Sequence, residues 1–392
     1  MVLVCKILFW GSLFLVFYTY LGYGIVLTAL VKIKRLFVSQ NQMPADYIPV
    51  IALVIPCYNE ADILQAKIEN CLALTYPADK ISIVFITDGS TDASMDIVRR
   101  YPQVTLLHED KRGGKVAAEN RVMKLLTAPV IIFSDANTIL PPSALKELVK
   151  HYADPKTGAV SGEKRILQKD KEAAAGAGEG IYWKYESFLK KMDSELLTIV
   201  GAAGELFSFR RELYQDLEAD TILDDFILSL RIAKKGYRVV YEPAAYAMET
   251  SSISVKEELK RKIRICAGGW QSIIRLRSLL NPFPHPILTF QYLSHRVLRW
   301  TLTPLALLIL LPINAVLCWY TGEWLYILAF VAQVVFYALA LCGWYLENRS
   351  ISIKLLFVPY YFFIMNYAVF LGFFRYLKGK QSAAWERSQR QV

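Results

Sequence analysis

Apolar positions along the 392 residues fall into two kinds of run. The first kind is long and uncharged. Ile7 to Val31 carries no charged residue and is long enough to cross a bilayer, and Trp300 to Tyr320, Trp324 to Leu346 and Leu355 to Phe374 repeat the signal, the last interrupted by Pro359. Trp and Tyr at the margins of these runs fit interfacial belts. The second kind is short and rich in β-branched residues. Val50 to Pro56, Ile81 to Thr87, Val104 to Leu107 and Val130 to Phe133 are of strand length, and they alternate with helical patterns at Ala61 to Leu74 and Val116 to Leu126. This alternation predicts an α/β fold with a mostly parallel central sheet, its polar loops gathered on one edge and transmembrane helices flanking it.

The pattern divides the chain into an N-terminal transmembrane helix with its basic flank (1–35), an α/β domain (48–280) reached through the polar linker Ser39 to Tyr47, an interfacial segment (281–299), C-terminal transmembrane helices (300–377) and a basic tail (378–392). Asn281 to His285 breaks a helix, and Ile287 to Arg299 then reads as amphipathic. Lys32, Lys34 and Arg35 follow the first span whereas only Lys6 precedes it, which places the N-terminus outside and residues 32 to 299 in the cytoplasm. Three further spans would put the C-terminus outside, yet Arg375, Lys378, Lys380, Arg387 and Arg390 argue for the inside. A re-entrant or interfacial segment among the last three reconciles the two signals.

A hydrophobic fraction of 54% and a net charge of +10 fit a membrane protein whose basic residues meet anionic lipid. Basic motifs interleaved with aromatics are absent, which argues against nucleic acid as a partner. The six cysteines and four histidines show no metal-ligand spacing, so the thiols read as free.

The candidate chemistry lies where the short runs end. Open α/β sheets bind ligands beyond the carboxyl ends of their strands. The four strand ends deliver Pro56, Tyr58, Asn59 and Glu60, then Asp88, then Lys115 in the loop Lys111-Arg112-Gly113-Gly114-Lys115, then Asp135 and Ala136. These are the nucleotide-binding candidates. Asp135 and Asn137, two oxygen donors two positions apart, suit a hard divalent cation, Mg²⁺ or Mn²⁺. Taken singly, each also reads as a turn or helix-cap residue; their convergence on one edge carries the argument. Further on, Gly201 to Ser208 is rich in small residues, and Asp224 and Asp225 open an amphipathic helix, either as paired acids for proton transfer or as a dipole-complementing cap.

With these motifs the chain resembles the membrane-bound family 2 glycosyltransferases of GT-A fold, the group that includes cellulose, hyaluronan, chitin-oligosaccharide and poly-N-acetylglucosamine synthases. The resemblance implies that Asp88 contacts the nucleotide base and that Asp135-Ala136-Asn137 stands for the family's Asp-x-Asp, holding metal and diphosphate. Asn137 departs from that pattern. It also implies that Gly204 and Glu205 line the sugar pocket, although Glu205 reads equally as a structural carboxylate, and that Asp225 is the general base with Asp224 as its electrostatic neighbour. The family's Gln-x-x-Arg-Trp corresponds to Arg261 to Ile265: Arg264 is kept and can bind diphosphate, but Ile265 stands where a Trp would stack on acceptor sugar. Trp270 is a substitute by position, although helical geometry points it elsewhere. The implied function is inverting, metal-dependent transfer from a nucleotide-sugar donor, a UDP-sugar by resemblance, to a glycan or lipid-linked acceptor at a bacterial-type inner membrane, in cell-envelope or exopolysaccharide synthesis. A processive polysaccharide synthase and a non-catalytic membrane subunit of the same fold are the alternatives.

Overall fold

The computed structural model describes residues 1–38, 44, 46–167, 174–250, 255–347, 349 and 353–379. Most of the linker Ser39 to Tyr47 and the tail from Lys380 on, with Arg387 and Arg390, lie outside the described residues. The chain runs α1 (Val2–Phe37), β1 (Ile51–Cys57), α2 (Ala61–Leu72), β2 (Ile81–Asp88), α3 (Ser94–Arg99), β3 (Thr105–Glu109), α4 (Lys115–Met123), β4 (Val130–Ser134), α5 (Ala144–Val149), β5 (Thr157–Leu167), α6 (Ala174–Leu196), β6 (Leu206–Arg210), α7 (Asp224–Lys234), β7 (Arg238–Thr250) and α8 (Val255–Arg275).

The strands form one seven-stranded sheet in the order β3-β2-β1-β4-β6-β5-β7. β1 lies between β2 and β4, parallel to both, and every residue of β1 and β4 is buried, as unbroken apolar runs require. Side chains alternate between the faces. Ala52 and Val54 pack with Val84, Ile86, Ile131 and Phe133 on one side, while Ile51, Leu53 and Ile55 pack with Ile83, Phe85, Val130 and Ile132 on the other. Burial of each such aliphatic or aromatic side chain stabilises the fold by about 1.5–3 kcal/mol. β3, expected to end at Leu107, continues through His108 and Glu109 because its ladder follows β2 to the pair Asp88 and Glu109. An edge strand needs no apolar residue at each of those positions.

β6 runs antiparallel to both β4 and β5, with Leu206 opposite Ser134. This reversal matters for function. Four parallel strands end at one edge of the sheet, and the antiparallel β6 begins there, so the segment Gly201 to Glu205 arrives beside Asp135.

After α8 the chain passes through α9 (Pro286–Tyr292), a π turn at Leu293–Val297 and a last turn at Leu298–Trp300 into α10 (Leu302–Thr321), α11 (Trp324–Glu347) and α12 (Lys354–Leu377). Helices α1, α10, α11 and α12 are long and apolar enough to cross a membrane. α1 and α10 run antiparallel: Thr19 meets Thr303 at 2.9 Å near one end, and Lys6 meets Glu323, just past α10, at 2.6 Å near the other. Pro359 does not interrupt α12. Rather than standing clear of the α/β domain, α12 lies along α8, with Leu259 against Phe357 and its neighbours and Trp270 against Phe373. The segment expected to be interfacial is also docked on the α/β domain: Leu288, Tyr292, Val297 and Trp300 join the core with residues of α7 and α8.

Candidate active site

The first pocket opens between the ends of β1 and β2. Pro56, Tyr58, Asp88 and Lys115 line it with Arg112 and Gly114, around a volume of about 260 Å³. The Arg112 guanidinium lies 3.7 Å from the centre of the Tyr58 ring. Asp88 accepts hydrogen bonds through Oδ2 from the backbone N–H groups of Gly113 and Gly114, at 2.9 and 2.6 Å. Gly114 sits at φ +91°, a conformation open to glycine, so the loop can close on the carboxylate. The buried Oδ1 keeps only a long ion pair, 3.5 Å to Arg121, and is left as an acceptor facing the pocket side of the loop. Asn59 and Glu60 sit differently from the sequence expectation. Asn59, at φ +51°, accepts through Oδ1 from the Thr91 N–H at 2.8 Å, and the Glu60 N–H donates to Ser94 Oγ with its side chain buried. Both stitch the β1–α2 turn to the turn after β2.

The end of β4 is held from below by a residue the sequence reading passed over. Lys67 of α2 is fully buried and donates to Ser134 Oγ, the Thr138 carbonyl and Thr138 Oγ1 at 2.9 to 3.1 Å. Thr138 Oγ1 in turn donates to the Asp135 carbonyl at 2.8 Å. Asp135, Ala136 and Asn137 therefore hang on a fixed turn, with Ala136 buried and the two polar side chains half-buried. Among the described residues no group of three or more His, Cys, Asp or Glu side chains is placed to hold a metal. A hard cation held by one carboxylate and one carboxamide would take its remaining oxygens from diphosphate and water, and the Asp135 and Asn137 pair fits that partial role.

Opposite Asp135 stand the acids of α7, and Lys115 bridges the gap. Its Nζ lies 3.3 Å from Asp135 Oδ1, 3.1 Å from Asp224 Oδ2 and 3.8 Å from Glu119 Oε1. Burial would lower the lysine's pKa, but the charges of Asp135, Asp224 and Glu119 outweigh it and hold the amine well above its ordinary value. Asp224 is the mirror case: burial raises it, and the charge and hydrogen bond of Lys115 bring it below the usual carboxylate range. Asp225 has no such cation in contact among the described residues. Burial, then the charge of Asp224, push it up to about 7. Gly204 packs so closely that a Cβ there would lie 3.1 Å from Asp225 Oδ2, so a glycine leaves the space in front of that carboxyl open. Glu119, another residue absent from the sequence candidates, is buried in contact with Asp224, and burial followed by that neighbour's charge raises its carboxyl well above normal.

Glu205 takes the structural alternative. Its carboxylate pairs with buried Lys164 at 2.7 Å; burial would raise it, but Lys164 pulls it well below the ordinary range. Arg264 makes no hydrogen bond or ion pair among the described residues, and its charge helps lower Asp224, so its guanidinium remains available to a phosphate. Arg261 is engaged with Glu258 at 2.8 and 2.9 Å. Trp270 packs on Phe373 of α12, with ring centres 4.7 Å apart, and this placement carries its indole into the α8–α12 seam instead of the acceptor space. Ile265 rests partly buried against the core.

Residues 52–218 match the glycosyl transferase family 2 profile. Among curated proteins, a poly-β-1,6-N-acetyl-D-glucosamine synthase of Staphylococcus aureus is 27% identical over 250 residues, covering 60% of this chain and 59% of that protein. The Staphylococcus epidermidis enzyme of the same name is 25% identical over 233 residues, covering 57% and 56%. The matched region thus spans less than two thirds of those relatives. Among solved structures, a mannosyltransferase from Pyrobaculum calidifontis in complex with GDP-Man and Mn²⁺ superposes with a TM-score of 0.73 at 23% identity, over 97% of this chain and 98% of the other.

Proposed function

We propose that this chain, whose residues 52–218 match the glycosyl transferase family 2 profile, transfers a sugar from a nucleotide-sugar, a UDP-sugar, to a glycan or lipid-linked acceptor at the membrane, with inversion at the anomeric carbon. One observation carries this reading most directly. Asp225, pushed up to about 7, faces the open space beside Gly204 while Asp224, Lys115 and Asp135 form a charged wall next to it. A carboxylate with that pKa is half ionised near neutral pH and is a better base than an ordinary aspartate.

In the proposed reaction the nucleoside lies in the pocket of Pro56, Tyr58 and Asp88, with Asp88 Oδ1 accepting from the base. Lys115 and Arg264 attract the diphosphate. A divalent cation bound by Asp135 and Asn137 would supply neutralisation of the charge that the departing diphosphate develops. Asp225 takes the proton of the acceptor hydroxyl as that oxygen attacks, and Asp224, tied to Lys115, keeps the negative charge beside Asp225 that makes it basic. Poly-N-acetylglucosamine synthase relatives and the GDP-Man of the structural neighbour define the donors to try first.

The test is nucleotide diphosphate release by the full-length protein in lipid, across UDP- and GDP-sugars with Mg²⁺ or Mn²⁺ and host lipid extract as acceptor source. Release from one donor, lost on chelation, is expected; a protein that neither binds nor turns over any nucleotide-sugar is the non-catalytic alternative instead.

Short products are proposed rather than a long polymer. Ile265 is aliphatic and Trp270 packs on α12, so neither position offers an indole face to a growing glycan. Ile265→Trp is expected to lengthen the product, read by gel or mass spectrometry; an unchanged length distribution would remove stacking at this position from the account. We further propose that the α/β domain is cytoplasmic at an inner membrane and that α12, lying along α8, returns the C-terminus to that side, in accord with the basic residues Arg375 and Lys378.

A further inference from the structure

A second set of buried charges lies where α6 meets α1 and the segment leading into α10. Glu186, Lys190 and Asp193 of α6 share one helical face by their spacing of four and three. Asp193 accepts from Tyr23 of α1, from Gln291 at 2.9 Å and from a His295 Nδ1 at 2.6 Å. Glu186 pairs with Arg296 and, through Oε2, with Arg299 Nη1 at 3.2 Å. Asp193 is thus well supplied with donors. The cations are less well matched.

Arg299 is the first. Its side chain is 12% exposed, yet Nε and Nη2 are buried and find no acceptor. Lys190 is the second. It is 6% exposed and forms no hydrogen bond or ion pair among the described residues; its amine lies 6.0 Å from the centre of the Tyr241 ring. Burial lowers its pKa, and Glu186, Arg296, Glu205 and Asp225 are among the charges that act on its amine. A buried charged donor without an acceptor costs on the order of 1–3 kcal/mol or more, so the Arg299 guanidinium calls for an anion, and the Lys190 amine, on the same face of α6 as Arg299's partner Glu186, is a second donor for it.

The surroundings indicate what kind of anion. Arg299 immediately precedes Trp300, whose ring lies 5.3 Å from that of Phe226, the residue after Asp225. Arg296 donates through Nε to the Val200 carbonyl at 3.1 Å, at the head of the Gly201 to Glu205 segment. On the other side stands α1, whose Tyr18 and Thr19 bond to Ser294 and Thr303. One helical turn, about 6 Å, separates Lys190 from Glu186, the partner of Arg299. A phosphate with three or four acceptor oxygens can take several donors at once, and a hydrocarbon chain attached to it has the apolar surface of α1 to follow.

We propose that Lys190 and Arg299 form a phosphate-binding site for a lipid-linked acceptor, holding its head beside Asp225 and its chain along α1. This deepens the transferase reading and rests on it for the acceptor's role, but the binding can be measured without any donor.

The experiment uses the full-length protein in phosphatidylcholine nanodiscs and compares binding of a polyprenyl monophosphate, the neutral polyprenol and inorganic phosphate, with Lys190→Met and Arg299→Gln alongside. The monophosphate is expected to bind at least tenfold tighter than the alcohol, as one charge-assisted hydrogen bond gives, and each variant is expected to lose about ten- to a hundredfold while retaining the wild-type affinity for nucleotide-sugar. Equal binding of alcohol and monophosphate overturns the proposal, as does unchanged monophosphate binding in both variants. Inorganic phosphate that competes as well as the lipid phosphate overturns the lipid assignment. Should a buried substitution prevent folding, seen as lost nucleotide-sugar binding, the wild-type comparison of monophosphate with alcohol decides alone. Failure of the transferase reading shows separately, as absence of nucleotide-sugar binding with lipid binding intact.

Discussion

Asp225→Asn is expected to lower kcat by roughly 10²- to 10⁴-fold while leaving the Kd for nucleotide-sugar within about threefold of wild type, because a general base contributes to the chemical step and not to donor affinity. Stopped assays of nucleotide diphosphate release, paired with direct binding, read the two quantities apart; full turnover in the variant would remove Asp225 from the mechanism. The wild-type kcat/KM should fall as pH drops through about 7, where Asp225 takes up a proton. Removing the neighbouring charge with Asp224→Asn should move that limb to lower pH. Stability gives an independent sign. The folded-state pKa of Asp225 lies above the ordinary carboxylate value of about 3.9, so its ionisation destabilises the fold progressively as pH rises through about 7. Asp225→Asn is therefore expected to melt at a higher temperature than wild type at pH 8 and to lose that advantage near pH 4.

Lys115→Met is expected to weaken donor binding by about ten- to a hundredfold, the effect of one or two charge-assisted hydrogen bonds to diphosphate, and to change the titration of what remains. The amine sits among Asp135, Asp224 and Glu119, and its charge lowers the pKa of Asp225. Without it, the acid limb of the residual activity should move above pH 7, opposite in direction to Asp224→Asn. Loss of affinity with an unmoved limb would mean that Lys115 serves the phosphate alone.

The strands were legible in the sequence because a sheet buried on both faces demands unbroken β-branched runs, and Val50 to Pro56 and Val130 to Phe133 have no other economical reading. The meeting of Asp88, Lys115 and Asp135 was legible for a related reason, since parallel strands end on one edge, whereas the role of Asp225, in the first turn of α7, was reached only through the family resemblance. Lys67, Glu119, Lys164 and Lys190 were not legible. Each sits inside a helix or strand at an ordinary polar position, and its importance depends on what a distant segment places against it, as Ser134 and Thr138 do for Lys67. Glu205 could be read two ways until its Lys164 partner was in place, and Trp270 needed α12. The conflict over the C-terminus, which charge counting alone could pose but not answer, is the basis of the topology proposed for α12. Pro359 misled as a breaker because the packing that α12 gains along α8 outweighs one missing backbone hydrogen bond.

The docking of Tyr292 and Trp300 against Phe226 has a thermodynamic corollary. Helix α7, which carries Asp225, has its apolar side roofed by residues of the segment leading into α10, so the α/β domain and the apolar helices share a single core. Heating or denaturant should therefore dismantle both in one cooperative transition, and residues 48–280 expressed alone should expose the Phe226 face and aggregate rather than persist as a soluble enzyme.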